Sequence, residues 1–177
     1  SSGGTPTYRR PCCVGDIRVK DMGPVTEDID NMLAAMTRHS PTEGFMNAAS
    51  PGVIALFQPN KHYATQDAYL EALAEAMAAE YKAIVDAGLV LQLDSPDLGL
   101  GRHMLFKGKS DEEYQAQASL HVDALNHALA DIPKDRVRLH VCWGNYEGPH
   151  HHDAPMEMVL PIALRADVGA LLFESSN

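Results

Sequence analysis

The sequence is short of positive charge and of long apolar runs, and each shortage excludes a class of protein. Its 14 Lys and Arg face 24 Asp and Glu, so the formal net charge is -10. This charge argues against a nucleic-acid partner, because phosphate binding needs a basic surface. No apolar run approaches the length of a membrane-spanning helix, and the first residues contain no signal-peptide core. We therefore expect neither a nucleic-acid nor a membrane partner.

Cysteine is also rare, and its placement indicates a reducing compartment. The chain has three cysteines, Cys12, Cys13 and Cys142. An odd number with two adjacent members makes a poor disulfide framework, which favours a cytoplasmic protein. The 177 residues are 45% hydrophobic and 21% charged, which is the composition of one ordinary globular domain. Residues 1–15, polar and rich in Gly, Ser and Pro, are predicted to be loop or linker.

Helical periodicities and short apolar runs alternate along the chain. Predicted helices cover 25–39, 65–88, 110–131 and 154–166, and predicted strands cover 51–57, 89–94, 136–143 and 168–174. Alternation of this kind predicts an α/β fold with a parallel sheet and helices outside it. Four such repeats resemble half of a (β/α)8 TIM barrel. No Gly-rich phosphate loop follows any strand, so the signature of a nucleotide-binding fold is missing.

A parallel sheet that is open at both edges is an unusual finished domain. The sequence therefore favours one of two interpretations. Either the chain is a fragment of a longer barrel protein, which we expect, or partner chains complete the barrel.

The candidate functional residues lie at the ends of the predicted strands: Asp94, His140, Cys142 and Glu174. Residues two apart on a strand share a face about 6.5–7 Å apart, so His140 and Cys142 can converge on one zinc ion with bonds of about 2.0–2.3 Å. Glu174 ends the next strand, about 4.8 Å away if the two strands pair. Three ligands with an open fourth position are typical of a catalytic zinc site that can deprotonate a substrate thiol.

Each of these residues also has an ordinary structural interpretation. Cys142 on an apolar strand is commonly a core cysteine, and Glu174 a loop carboxylate that caps a backbone N–H. Asp94 either binds a substrate ammonium group or caps the turn that follows it. Trp143 either packs at the site or fills the end of the barrel. Ser50, which opens the predicted strand 51–57, is a further candidate for substrate contact.

The most conspicuous feature of the sequence is the triple histidine His150, His151 and His152. Together with His140 and Cys142 it places four histidines and a cysteine within thirteen residues. Three adjacent side chains cannot all face one ion on a regular element. The run is therefore interpreted as a loop that lines the mouth of the barrel, and the metal site is assigned upstream.

Several long stretches resemble one known family. The segments "FMNAASPGVIALFQPNKHYATQDAYLEALAEAMAAEYKAIVDAG", "LQLDSPDLGLGRH", "DRVRLHVC" and "LHVCWGNYEGPHHH" resemble the cobalamin-independent methionine synthase-like family. The nearest branch looks like the one that contains epoxyalkane:coenzyme M transferases and methionine synthase II homologues. The likeness covers the chain from about residue 8 to residue 177.

The resemblance implies a (β/α)8 barrel whose zinc ion activates a thiol for alkylation. The His-x-Cys of the family corresponds to His140 and Cys142, and its strand-end glutamate corresponds to Glu174. Its aspartate, which holds the amino group of the acceptor in true methionine synthases, corresponds to Asp94. Two departures stand out: the second zinc cysteine of the family corresponds to a segment after residue 177, and "LDSPDL" replaces "DEPAL".

The sequence thus leads to three hypotheses. The first is a zinc-dependent methyltransferase or alkyltransferase, with a small thiol and a methyl or alkyl donor as substrates. The second is an inactive barrel fragment that acts only by associating with itself, as a homo-oligomer, or with another chain. The third, a decarboxylase of the uroporphyrinogen type, leaves the His-x-Cys pair unused.

Overall fold

The computed structural model describes residues 10–104, 108–144 and 153–174. Strands and helices alternate along these residues. The strands are β1 (Phe45–Ala49), β2 (Val90–Asp94), β3 (Val137–Val141) and β4 (Ala170–Phe173). The helices are α1 (Gly23–His39), α2 (Pro51–Phe57), α3 (Gln66–Asp86), α4 (Gly101–Met104), α5 (Asp111–Ala128) and α6 (Met156–Ala163). Short 3-10 turns cover Pro96–Leu98 and Lys134–Arg136.

The four strands form one parallel sheet in the order β1-β2-β3-β4. Because parallel crossovers are right-handed and the order advances one strand at a time, the connecting helices collect on the same face. The α/β class and the parallel sheet predicted from the sequence are therefore confirmed.

The two longest helices begin where the sequence predicts. Thr65 caps α3 by accepting a hydrogen bond from the backbone N–H of Ala68 at 3.1 Å. Ser110 and Glu113 form a reciprocal capping box at the start of α5. Side-chain caps of this kind satisfy N–H groups that a helix leaves without intrahelical partners.

The prediction of a strand over 51–57 is wrong, because this segment is the helix α2 and the first strand, β1, comes before it. Ser50 caps α2 with its hydroxyl oxygen, which accepts from Val53 N at 3.1 Å. Pro51 stands at the first helical position, where its missing N–H has no cost. A short apolar run cannot be assigned to strand or helix by periodicity alone. Here the Ser50 cap favours the helix.

The hydrophobic core lies between the sheet and the helices. Leu91, Leu93, Leu139 and Val141 point from β2 and β3 into this core and are almost completely buried. Tyr69, Leu70, Tyr81 and Ile84 of α3 meet them, together with Tyr114, Val122 and Leu125 of α5. The alternate residues of the strands point to the opposite face, which we call the open face. Within the described ranges, no helix is long and apolar enough to cross a membrane.

Candidate functional site

The open face carries an aspartate–histidine contact at the carboxyl ends of β2 and β3. Asp94 is the last residue of β2 and lies opposite His140 in the parallel register. The Asp94 Oδ1 atom is 3.0 Å from Nδ1 of His140. Both side chains are about one third exposed, at 36% and 32%. The sequence placed both residues at strand ends, and the structure brings them into direct contact.

Neighbouring amides orient the Asp94 carboxylate. Gln92 donates from Nε2 to Oδ1 at 3.3 Å, and Asn47 of the adjacent strand β1 contacts Oδ2 from Nδ2 at 3.4 Å. Gln92 is itself held by Arg138, whose Nε donates to Oε1 at 2.8 Å. The guanidinium of Arg138 in turn lies 3.9 Å above the ring of Phe45. A chain of polar contacts thus crosses three strands and holds the carboxylate in place.

The contact with Asp94 determines which nitrogen of His140 remains available. An ionised carboxylate only accepts hydrogen bonds, so Nδ1 carries the proton that it shares with Asp94. The other ring nitrogen, Nε2, is left with its lone pair. Histidines that bind a metal through one nitrogen commonly donate the other N–H to a carboxylate, which fixes the tautomer and the orientation of the ring.

Cys142 follows His140 by two residues and is the first residue after β3, where the alternation of the strand, continued by one residue, would place it on the same face. Val137, Leu139 and Val141 of β3 are buried on the helix side, and Arg138 and His140 occupy the open face. The Cys142 thiol is free and half-buried, and its Sγ accepts a hydrogen bond from Gly144 N at 3.2 Å. Gly144 has a φ of 93°, a conformation that favours glycine, and this turn directs its N–H to the sulfur.

Glu174 is the residue directly after β4. Because His140 pairs with Leu172 in the register, extending the pairing by two residues brings Glu174 opposite Cys142. The Glu174 side chain is exposed. In the described parts of the chain, however, no set of three or more His, Cys, Asp or Glu side chains converges closely enough to hold a metal. The extended register therefore places Glu174 across from Cys142, whereas the side chains of the described residues do not converge as a metal ligand set.

The other predicted site residues lie inside the protein. Ser50 is 2% exposed, and besides capping α2 its hydroxyl donates to Asp97 Oδ1 at 3.1 Å. Trp143 is 3% exposed and donates from Nε1 to the carbonyl of Ala154 at 2.8 Å. Both side chains are therefore hydrogen-bonded inside the protein, next to the ends of β1 and β3. The triple histidine, residues 150–152, lies outside the described residues.

A buried aspartate–histidine pair lies behind the strand ends, and the sequence does not predict it. Asp97 and His121 are 3% and 5% exposed, and Oδ2 of Asp97 is 2.8 Å from Nδ1 of His121. With Ser50 on the other carboxylate oxygen, Asp97 joins the loops after β1 and β2 to α5. Asp97 lies in the turn "DSPDLG", but nothing local in the sequence pairs it with His121.

Two buried tyrosines donate hydrogen bonds to the backbone near these strand ends. Tyr81 donates to the carbonyl of Ala49, the last residue of β1, and Tyr114 donates to the carbonyl of Leu98. Burial is the main cause that raises the pKa of both hydroxyls, with the Glu80 carboxylate adding to the effect at Tyr81 and the Asp97 carboxylate at Tyr114. Both hydroxyls therefore stay protonated, and act as hydrogen-bond donors, well into the alkaline range.

Comparison with known proteins adds no relative, since no protein-family model, curated protein or solved structure matches the chain. The resemblance to the methionine synthases stays a prediction from the residues. A functional assignment therefore depends on the geometry of the open face.

Proposed function

We propose that this chain transfers a methyl or alkyl group to a small thiol, with zinc as its cofactor. One observation carries the proposal: Asp94 contacts Nδ1 of His140, which leaves Nε2 for a metal. Cys142 comes two residues later, directly after β3. A carboxylate, a histidine and a cysteine in this relation are typical of zinc sites that keep an open position.

In this proposal His140 and Cys142 hold the ion, and Glu174 supplies the third ligand from β4. Glu174 does not converge with His140 and Cys142 in the structure, so its role as a ligand requires a different side-chain conformation. When bound, zinc supplies a Lewis-acid position that lowers the pKa of a substrate thiol towards neutrality.

Asp94 has two roles in the proposal. Its Oδ1 fixes the ring of His140, and its Oδ2, contacted only loosely by Asn47 at 3.4 Å, accepts a hydrogen bond from an ammonium group of the thiol substrate. The thiol loses its proton to solvent water, and the sulfur then uses its lone pair to form a bond to the alkyl carbon. The bond from that carbon to the donor breaks, and the donor leaves with the electron pair. Buried Ser50 and Trp143 contribute by keeping the strand ends in register.

The proposal extends to the fold and to the location of the protein. We propose that the four βα units form half of a (β/α)8 barrel, because a sequential parallel sheet with its helices on one face is the wall of such a barrel. All three cysteines are free, which suits a cytoplasmic protein.

The activity is tested by alkylation of small thiols at pH 7, with methyl iodide as a general methyl donor. A thiol with a pKa of about 8.5 is only about 3% thiolate at this pH, so activation should accelerate thioether formation about tenfold. The test compares zinc-loaded wild-type protein with Cys142→Ala and with Cys12→Ala, and mass spectrometry measures the thioether. We expect acceleration by the wild type and by Cys12→Ala only. Equal rates for wild type and Cys142→Ala would refute the assignment.

A second candidate is a barrel half that acts only through association with a second copy. It is favoured by an apolar groove of about 730 Å³ between α1 and the outer strand β1, which is lined among others by Met32, Met36, Phe45 and Met46. The outer strand β4 also exposes Phe173, 47% accessible. In this proposal β4 of one copy pairs with β1 of the other and closes an eight-stranded barrel.

Light scattering coupled to size-exclusion chromatography tests this association. The 19.3 kDa chain should elute at twice its mass, and Met46→Glu, which puts a charge into the apolar groove, should shift it to the monomer. Glu43→Gln, at a polar position of the same groove, serves as the control and should leave the dimer intact. A wild-type monomer with cooperative unfolding would rule out the second candidate.

A further inference from the structure

A second pocket lies on the helix side of the sheet, apart from the Asp94–His140 site. Its volume is about 350 Å³, and it opens between α2, the start of α3 and the first half of α5. Its lining residues are Arg10, Ala55, Leu56, Pro59, Asn60, Gln66, Lys109, Gln117 and His121. Two are permanent cations, and no carboxylate is among them. For a chain with a net charge of -10, this is an unusual local concentration of positive charge.

Gln117 provides the second observation. Its side-chain Nε2 is buried and has no hydrogen-bond partner among the described residues. A buried donor without a partner costs about 1–3 kcal/mol, so natural proteins seldom retain one unless something satisfies it. A ligand in the pocket with an acceptor oxygen would do so.

His121 lies one helical turn after Gln117 and shares its side of α5. Because Asp97 holds Nδ1 of His121 at 2.8 Å, the orientation of the ring at the wall of the pocket is fixed. Gln117 and His121 therefore form one polar wall of the pocket.

Arg10 approaches from the opposite side. It donates to the backbone carbonyls of Leu56 and Phe57 at the end of α2, which holds its guanidinium against the pocket. A guanidinium presents five N–H groups, more than these two contacts use. Lys109, just before α5, adds a second positive charge.

We propose that this pocket binds a small oxyanion, namely a phosphate group or a carboxylate. The two cations supply charge, and the buried Nε2 of Gln117 supplies a neutral donor. Charge-assisted hydrogen bonds from nitrogen to oxyanions are the strong ones, and together with an oriented amide they favour an anion over a cation or an apolar ligand. The proposal does not depend on the zinc site, since the two sites share no residue.

Nuclear magnetic resonance tests the proposal on the intact chain, with inorganic phosphate and malonate titrated at constant ionic strength. The Gln117→Leu variant identifies the side-chain NH2 signals of Gln117 by their disappearance. In the wild type we expect those signals to shift and saturate with at least one of the two anions. Phosphate alone or malonate alone would identify the class of oxyanion.

A charge-matched pair of variants separates specific binding from general attraction. Lys109→Gln should weaken the binding about tenfold, the usual order for a lost charge-assisted contact. Lys82→Gln removes the same charge from an exposed Lys82–Asp86 pair on α3, outside the pocket, and should leave the affinity unchanged. Gln117 signals that shift with neither anion would mean that the pocket holds water only. An equal effect of the two lysine variants would likewise overturn the proposal.

Discussion

Replacement of Gly52 by alanine is expected to lower the free energy of unfolding by about 3 kcal/mol. A Cβ atom at this position would lie 2.1 Å from Oδ2 of Asp97 and 2.7 Å from Nδ1 of His121. Neither neighbour can yield easily, since both are buried and bonded to each other at 2.8 Å. The added methyl group must therefore separate Asp97 from His121 or displace the start of α2.

The size of the effect follows from burial of the pair. A buried charge that loses its partner costs about 3–5 kcal/mol, and overpacking alone costs about 1–3 kcal/mol. Alanine is favoured over glycine in a helix by about 0.5–1 kcal/mol, which offsets a small part. Urea unfolding followed by circular dichroism measures the change. Gly15→Ala is the matched control, because a Cβ atom there meets nothing within 4 Å. Stabilities of wild type and Gly52→Ala within 0.5 kcal/mol, roughly the noise of surface substitutions, would contradict the role given to this pair.

Replacement of Cys142 by alanine is expected to weaken zinc binding more than 100-fold. Loss of a partner that only orients a ligand already costs about 10–100-fold in metal affinity, and loss of a ligand itself costs more. The chain contains its own controls: Cys12 and Cys13 are also free but lie in the N-terminal segment, away from β3. Cys12→Ala and Cys13→Ala should therefore retain wild-type zinc content in metal analysis after dialysis.

Asp94→Asn should give an intermediate loss of about 10–100-fold, because the histidine ring keeps its place on β3 but loses the carboxylate that orients it. The expected zinc affinity is lowest in Cys142→Ala, intermediate in Asp94→Asn and highest in the wild type. This order distinguishes a site on the open face from zinc bound elsewhere. Equal zinc content in all four variants and in the wild type would place the metal outside the open face.

Local signals in the sequence were sufficient to predict much of the fold. Thr65 and the pair Ser110 and Glu113 mark the starts of α3 and α5 because a cap involves residues only three apart. The segment after Ser50 was misjudged, since a seven-residue apolar run suits a buried strand and a buried helix equally well. The serine cap and the following Pro51 were the signals that could have decided it.

Sequence patterns predict the strand-end residues of the candidate site but not the contacts that depend on tertiary packing. The positions of Asp94 and His140 follow from the ends of parallel strands, which meet at one edge of a sheet. The pairing of Asp97 with His121 joins residues 24 positions apart, and it depends on how α5 packs behind the loop. No local pattern encodes such a contact. The burial of Ser50 and Trp143 is likewise a result of tertiary packing.

The visible absorption spectrum of the protein loaded with cobalt(II) in place of zinc tests the central claim most directly. A thiolate ligand gives cobalt an intense charge-transfer absorption, so the spectrum reports on the sulfur that holds the ion. The account predicts this band in the wild type and in Cys12→Ala, its loss in Cys142→Ala, and an increase when a small thiol is added to the wild type. A charge-transfer band that persists in Cys142→Ala, or a wild-type protein without one, would contradict the account.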